Sequence, residues 1–109
     1  MTIGFELDRQ TFTGLNGGPM FTLTEAISMI INCESQAEVD HYWARLGEGG
    51  QPGRCGWLKD KFGVSWQIVP TALVEMVQGG DPARSQRVMA ALMEMGKLEV
   101  ARLKDAHEA

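Results

Sequence analysis

The sequence lacks several features that would assign it to a large functional class. No apolar run approaches the roughly 20 residues of a membrane helix, and residues 1–10 contain no basic region followed by an apolar core. We therefore expect no membrane span and no signal peptide. Positive charge is also limited, because 10 Lys and Arg oppose 14 Asp and Glu. This balance argues against nucleic-acid binding, which usually needs a basic patch, and weakly against an anionic membrane surface.

Cysteine and histidine are scarce. Cys33 and Cys55 form no Cys-x-x-Cys pair, so we expect reduced, structural thiols and a cytoplasmic location. Both His residues fall on predicted helices, neither has a second His at ligand spacing, and metal sites need several converging ligands. Residues 16–19 (Asn-Gly-Gly-Pro) match neither the phosphate-binding motif Gly-x-x-x-x-Gly-Lys-Ser/Thr nor the motif Gly-x-Gly-x-x-Gly. We therefore expect no phosphate-binding loop and no methyl-donor loop. The sequence therefore predicts neither a metal ion nor a cofactor.

The composition itself is that of an ordinary globular domain. The chain has 109 residues, of which 44% are hydrophobic and 22% are charged. A chain of this length forms at most one domain with a small core.

Residues 55–70 form the most informative stretch and are predicted to be two strands joined by a tight turn. Asp60 can bond back to the backbone of the turn, and Gly63 tolerates positive φ. Pro70 ends the second strand because it lacks an N–H. Alternation puts Val64, Trp66 and Ile68 on one face of this strand, and Ser65 and Gln67 on the other.

Two more β-segments precede this stretch. Residues 2–16 alternate like a hairpin, with Asp8-Arg9 as a plausible two-residue turn, although Arg is not favoured at positive φ. The apolar run from Ala26 to Ile31 predicts a strand that is buried on both faces or lies at the centre of a sheet.

Helices account for the remaining segments. Ser35 and Glu38 have the spacing of a capping box, and the following stripe of Val39, Tyr42, Trp43 and Leu46 would pack on a sheet. Asp81-Pro82 predicts a further helix start, with Gly96 as its C-terminal cap. A last helix is expected over 98–107, with Leu98 and Ala101 facing the core. Strands around one capped helix indicate an α+β fold with a mainly antiparallel sheet.

Several stretches resemble one protein family. The most specific is 57–70, Trp-Leu-Lys-Asp…Phe-Gly…Ser-Trp-Gln-Ile-Val-Pro, and shorter stretches at 16–19, 25–28, 32–34 and 42–43 accompany it. Together they resemble the PhnB-like branch of the glyoxalase/bleomycin-resistance/dioxygenase (vicinal oxygen chelate) superfamily, often labelled 3-demethylubiquinone-9 3-methyltransferase-like. The resemblance extends from the first strand through the helix that starts at Asp81-Pro82.

The resemblance implies a fold of two paired βαβββ modules whose curved sheets form a cup. Residues 1–109 would be one glyoxalase-like domain, with 2–16 as the terminal hairpin of the first module, 25–70 as the second module and 71–109 as C-terminal helices. The first part of the first module has no counterpart in the chain. One copy would then leave an open sheet edge and an uncovered apolar face. We therefore expect a homodimer in which two copies complete each other's sheets.

The resemblance also raises the question of a metal. Enzymes of the superfamily bind a divalent ion through His, Gln and Glu on the cup floor, and the ion acts as a Lewis acid. Here Ala26 would stand where His is usual, and Gln67 where Glu is usual, which is a poor ligand set. The sequence predicts binding of an unidentified small molecule without a conventional metal site. The alternative is a metal-dependent lyase, dioxygenase or transferase of the superfamily.

Six residues are predicted to contact the ligand, and no catalytic residue is assigned. A cup with aromatic walls and a few polar groups would bind a compact aromatic or amphipathic molecule. Plain core packing is the competing interpretation of the tryptophans, and of Trp66 above all. The predicted contacts are the aromatic Phe5, Trp57 and Trp66 and the polar Asn16, Ser65 and Gln67.

Overall fold

A parallel strand pair lies at one edge of the larger sheet. The computed structural model describes all residues from 1 to 109. Strand β3 (Ser28–Cys33) pairs in parallel with β6 (Ser65–Pro70), and the short strands β5 (Trp57–Lys59) and β4 (Gln51–Pro52) extend the sheet in antiparallel fashion. The strand order is β3-β6-β5-β4. Residues 28–70 therefore have βαβββ connectivity, in which a single helix links the parallel strands.

Strand β4 is not predicted from the sequence. It has only two residues, one of them proline. Gly50 explains the pairing, since a Cβ at this position would lie 2.1 Å from the carbonyl oxygen of Lys59. Glycine is needed here because two backbone segments approach closely.

Helix α1 (Gln36–Gly47) supplies the crossover and covers one sheet face. The predicted N-cap is confirmed, because Ser35 Oγ accepts from the Glu38 N–H at 3.2 Å. The Glu38 carboxylate, however, accepts from the N–H of Glu34 and not of Ser35, so the box closes one residue earlier. Under the helix lies a small core of Cys33, Val39, Leu58 and Ile68, flanked by Ile31, Trp43, Leu46 and Trp66.

The expectation that the Ala26–Ile31 run is buried on both faces is wrong. Strand β3 is an edge strand, and Ile30 is 57% exposed. Ile27 precedes the strand and is 78% exposed. An apolar run is compatible with burial on both faces, but only one face of this strand is covered by a helix of the chain. The other face is not covered by a helix, and the free edge pairs with no strand of the chain.

The turn between β5 and β6 is built as its residues predict. Asp60 Oδ1 accepts from the N–H groups of Phe62 and Val64 at 2.9 and 3.0 Å, and Oδ2 accepts from Trp66 Nε1 at 2.9 Å. Gly63 has a φ of 92°, a conformation that favours glycine. One carboxylate thus holds both the turn and the tryptophan of the following strand.

The N-terminal hairpin forms a separate two-stranded sheet, here called the arm. Strands β1 (Thr2–Leu7) and β2 (Gln10–Leu15) pair only with each other. The turn has the predicted two residues, with Asp8 at φ 48° and Arg9 at φ 67°. This positive-φ pair is the geometry that two-residue hairpins favour, in spite of the Arg.

The C-terminal helices form a second core at the end of the sheet. They are α2 (Thr71–Gln78), α3 (Pro82–Leu92) and α4 (Val100–Glu108). None of the helices is both long enough and apolar enough to cross a membrane. Seven buried side chains make up this core: Leu73, Met76, Val88, Leu92, Met95, Leu98 and Leu103.

Local capping chemistry predicts the start of α3 but not its end. The Asp81 carboxylate accepts from the N–H groups of Ala83 and Arg84, as expected of an N-cap. The helix ends at Leu92, so Gly96 is not its cap. Leu98 is buried ahead of α4, and within α4 the inward residue is Leu103, whereas Ala101 is exposed.

The two thiols have different surroundings. Cys33 is fully buried beneath α1, and its burial, together with the nearby Glu38 carboxylate, raises the pKa of the thiol. Cys55 is half-buried, and its Sγ lies 3.7 Å from Met93 Sδ. Both cysteines are free.

Replacing Asp60 with Ala should lower the free energy of unfolding by about 2–3 kcal/mol, because three donors lose a charged acceptor. Asp60→Asn should have a smaller effect, since its amide oxygen still accepts from the turn while its NH₂ group cannot accept from Trp66. Urea unfolding measures both values. Asp105→Ala, at an exposed position of α4, is the control and should stay within about 0.5 kcal/mol of the parent. Equal stability of the two alanine variants would contradict the assigned role.

Candidate functional site

The face of the larger sheet opposite α1, here called the polar face, carries a row of polar side chains. The strand register places Ser28, Ser65 and Lys59 side by side on β3, β6 and β5. Gln67 lies in the next row, between Ile30 and Trp57. Because Gln67 reaches back to Ser28, we call these four residues together the polar row: Ser28, Lys59, Ser65 and Gln67.

Two side-chain contacts organise the polar row. Gln67 Nε2 donates to Ser28 Oγ at 2.9 Å, which links the neighbouring strands β6 and β3 through their side chains. Lys59 Nζ donates to the carboxylate of Glu25, which lies in the turn before β3. This hydrogen bond holds the pKa of the Glu25 carboxyl below its usual range. The charged group at one end of the row is thus paired with a residue from outside the sheet.

Ser65 is the most unusual member of the row. Its side chain is buried, with 2% exposure, and Oγ has no hydrogen-bond partner. A buried polar group without a partner destabilises a protein by about 1–3 kcal/mol. Such groups are rare in folded proteins and call for an explanation, such as a water molecule or a ligand.

Three of the predicted contacts lie together on the polar face. Trp57 and Gln67 are paired across β5 and β6, and Ser65 lies two residues before Gln67 on β6. Trp66 does not join them, because consecutive residues of a strand point to opposite faces. Trp66 lies on the α1 side, packs against the core there and donates its indole N–H to Asp60. The six residues predicted to line the cup therefore do not lie together in one copy of the chain.

The other two predicted contacts belong to the arm. Phe5 is 46% exposed and stacks on Phe12 with the ring centroids 5.4 Å apart. Asn16 follows β2, and its N–H donates to the carbonyl oxygen of Met1 at 3.0 Å. No hydrogen bond or ring contact joins either residue to the polar row. Their role in ligand binding stays a prediction, as it does for the other four.

An apolar groove that the sequence analysis does not predict lies between the arm and the α1 side of β3. Its volume is about 690 Å³. The signal in the sequence was the apolar stripe of α1, because Tyr42 of this stripe is 37% exposed and lines the groove. The apolar lining consists of Leu7 and Phe12 from the arm, Met29, Ile30, Ile31 and Trp66 from the sheet, and Tyr42 and Leu46 from α1.

The polar row has the donors of an anion site more than those of a divalent-metal site. No three His, Cys, Asp or Glu side chains converge anywhere in the chain. Ala26 lies in the turn before β3, so Ser28 and Ile30 are the residues of the first strand nearest Gln67. Two hydroxyls, one amide and one ammonium do not match the carboxylate and imidazole ligands that divalent ions prefer. The ammonium of Lys59 would also repel a cation.

Comparisons with known proteins assign the family. The family model described as 3-demethylubiquinone-9 3-methyltransferase matches residues 1–69. Among solved structures, the chain is similar to a PhnB protein from Bacillus cereus, provisionally described as a 3-demethylubiquinone-9 3-methyltransferase, with 30% sequence identity and a TM-score of 0.59. The match covers 64% of each chain, so it spans less than two thirds of that protein's length. A search of curated protein sequences found no match.

The family match covers more than half of the chain, and the structural match confirms the predicted α+β, glyoxalase-type fold. The chain therefore belongs to the 3-demethylubiquinone-9 3-methyltransferase family, within the PhnB-like branch of the vicinal oxygen chelate superfamily.

Proposed function

We propose that the protein binds a compact aromatic or amphipathic small molecule in a cup formed by two copies of the chain. The polar face supplies one wall of the cup, with Trp57, Ser65 and Gln67 as contacts. The observation that carries the proposal is Ser65, whose buried hydroxyl lacks a partner in the middle of this face. A ligand that accepts from this hydroxyl removes the penalty of the unpaired group.

The arm is the proposed source of the opposite wall. Its apolar face presents Ile3, Phe5 and Leu7, which are 60%, 46% and 46% exposed. The chain is elongated, with extents of 53 × 26 × 24 Å and a radius of gyration of 16.1 Å, against about 13 Å for a globular domain of this length. Contiguous exposed apolar surface of this kind is typical of an interface.

A second copy of the chain is the proposed partner of the arm. Strand β3 leaves the edge of the larger sheet unpaired and exposes Ile30 beside that edge. Adding strands from the arm of another copy covers both the edge and the arm, which is the general logic of strand addition. Such an exchange is reciprocal in a two-fold symmetric dimer. It would also bring Phe5 and Asn16 of one copy towards the polar face of the other.

This assembly corresponds to the modular organisation that the family implies. The arm takes the place of the terminal hairpin of a first module, residues 25–70 take the place of the second module, and residues 71–109 add C-terminal helices. Residues 28–70 support this division, since they have the βαβββ order of one module. The free thiols suit a reducing compartment, so we place the assembly in the cytoplasm.

The proposed binding does not use a metal or a methyl donor. The polar row lacks a carboxylate of its own, and the Lys59 ammonium disfavours a cation beside it. A methyltransferase of the Rossmann type needs a glycine-rich loop between a strand and a helix. Here β6 runs into α2 through Pro70-Thr71, without a glycine. The family's descriptive label therefore does not carry its reaction over to this chain.

In sedimentation velocity at micromolar concentration, we expect a dimer. Ile3→Asp combined with Phe5→Asp should shift the protein to monomer, with affinity weakened at least about tenfold, because charges would be buried in the interface. Thr2→Asp combined with Thr13→Asp introduces the same two charges on the other face of the arm and should leave the dimer intact. A monomer for the unaltered chain would overturn the proposed assembly.

Ser65→Ala should raise the free energy of unfolding of the ligand-free protein by about 1 kcal/mol, because an unpaired buried hydroxyl is removed. The same variant should show a smaller rise in melting temperature with single-ring aromatic probes such as benzamide. Differential scanning fluorimetry measures both changes. If Ser65 were only a packing residue, Ser65→Ala would not both raise the free energy of unfolding and weaken probe binding.

Metal analysis of the purified protein should find substoichiometric zinc, nickel, manganese and iron, and EDTA should leave the melting temperature unchanged. Both results follow from a donor set that suits anions. One tightly held metal per chain that EDTA removes with loss of stability would favour the alternative, a metal-dependent lyase, dioxygenase or transferase of the superfamily.

A further inference from the structure

We propose that the polar row binds the carboxylate of a small aromatic acid, and that Glu25 is an internal stand-in which this carboxylate displaces from Lys59. The inference rests on the proposed function, because the polar face is the wall of the proposed cup. It goes further by naming the chemical class of the ligand and by giving Glu25 and Lys59 opposite roles in its binding.

Three proton donors in the row point to an anion. Lys59 is a cation, and Ser65 has a hydroxyl without a partner beside it in the register. Ser28 Oγ accepts from Gln67, which leaves its own hydroxyl hydrogen free to donate. An ammonium and two hydroxyls in one row across three strands match the acceptor-only oxygens of a carboxylate.

Glu25 shows that a carboxylate is accepted at one end of this row. It reaches Lys59 from the turn that precedes β3, so it is not part of the sheet that holds the other groups. Its side chain is 63% exposed and that of Lys59 is 35% exposed. Exposed ion pairs contribute little net stability. A ligand carboxylate that also satisfies Ser65 therefore has an advantage over Glu25, which leaves that hydroxyl unpaired.

Trp57 gives the reason for an aromatic acid. It lies two residues before Lys59 on β5, on the same face of the sheet, and two strand residues span about 7 Å. An aromatic ring attached directly to a carboxylate held at Lys59 fits within this distance and can lie against the indole. Burial of the ring supplies apolar area, and the carboxylate supplies orientation.

Isothermal titration of the full chain with benzoate, and with benzamide as its neutral analogue, tests the inference. Wild-type protein should bind benzoate more tightly than benzamide. Glu25→Gln should tighten benzoate binding about fivefold by removing the competitor, and Lys59→Gln should weaken it about tenfold or more. Benzamide affinity should change little in either variant.

Glu34→Gln is the matched control, because it removes one negative charge from an exposed position without touching the polar row. It should leave benzoate affinity unchanged, which separates local competition from a change in net charge. Melting curves of each variant establish that it is folded.

If benzamide binds as well as benzoate, or if Glu25→Gln does not tighten benzoate binding, the inference is wrong while small-molecule binding in the cup still stands. If no aromatic probe binds and the chain is monomeric, the proposed function fails with it.

Discussion

The parallel pairing of β3 with β6 is the constraint on which the rest of the structure depends. Parallel neighbours need a crossover, and α1 supplies it, so its apolar stripe covers one face of the sheet. The same pairing aligns Ser28 with Ser65 and sets Ile30 beside Gln67, on strands that are far apart in sequence. It also leaves β3 at the sheet edge, with no strand of its own chain paired to it there. The polar row and the unpaired edge therefore have one origin.

Local chemistry predicts the parts of this fold whose cause is local. The Asp60 turn and the Ser35 and Asp81 caps follow from side chains that accept from backbone N–H groups a few residues away. The two-residue turn of the arm follows from the short connection between two alternating segments. The burial of β3 could not be predicted in the same way, because an apolar strand looks alike whether one face or two are covered. Strand β4 has too few residues to show a period, and its pairing depends on a close approach at Gly50.

The sequence predicts the part of the candidate site that lies on the single strand β6, but not the part that other strands contribute. Alternation along β6 separates Ser65 and Gln67 from Trp66, and the structure has them on opposite faces. The contributions of Lys59, Glu25 and Ser28 arise only from the cross-strand register and from a turn packed near the sheet. The family resemblance predicts the fold correctly. It also predicts that Ala26 occupies the usual position of a His ligand on a strand, whereas Ala26 lies in the turn before β3.

The turn of the arm has a consequence for how firmly the arm itself is folded. Asp8 and Arg9 both occupy the left-handed region, where a residue other than glycine is disfavoured by roughly 1–2 kcal/mol. An isolated two-stranded hairpin is marginally stable in water at best. The arm therefore has little stability of its own, and contact with another surface is needed to keep it folded. Amide hydrogen exchange along β1 and β2 would thus act as a gauge of that contact, fast in a free chain and slow in an occupied interface.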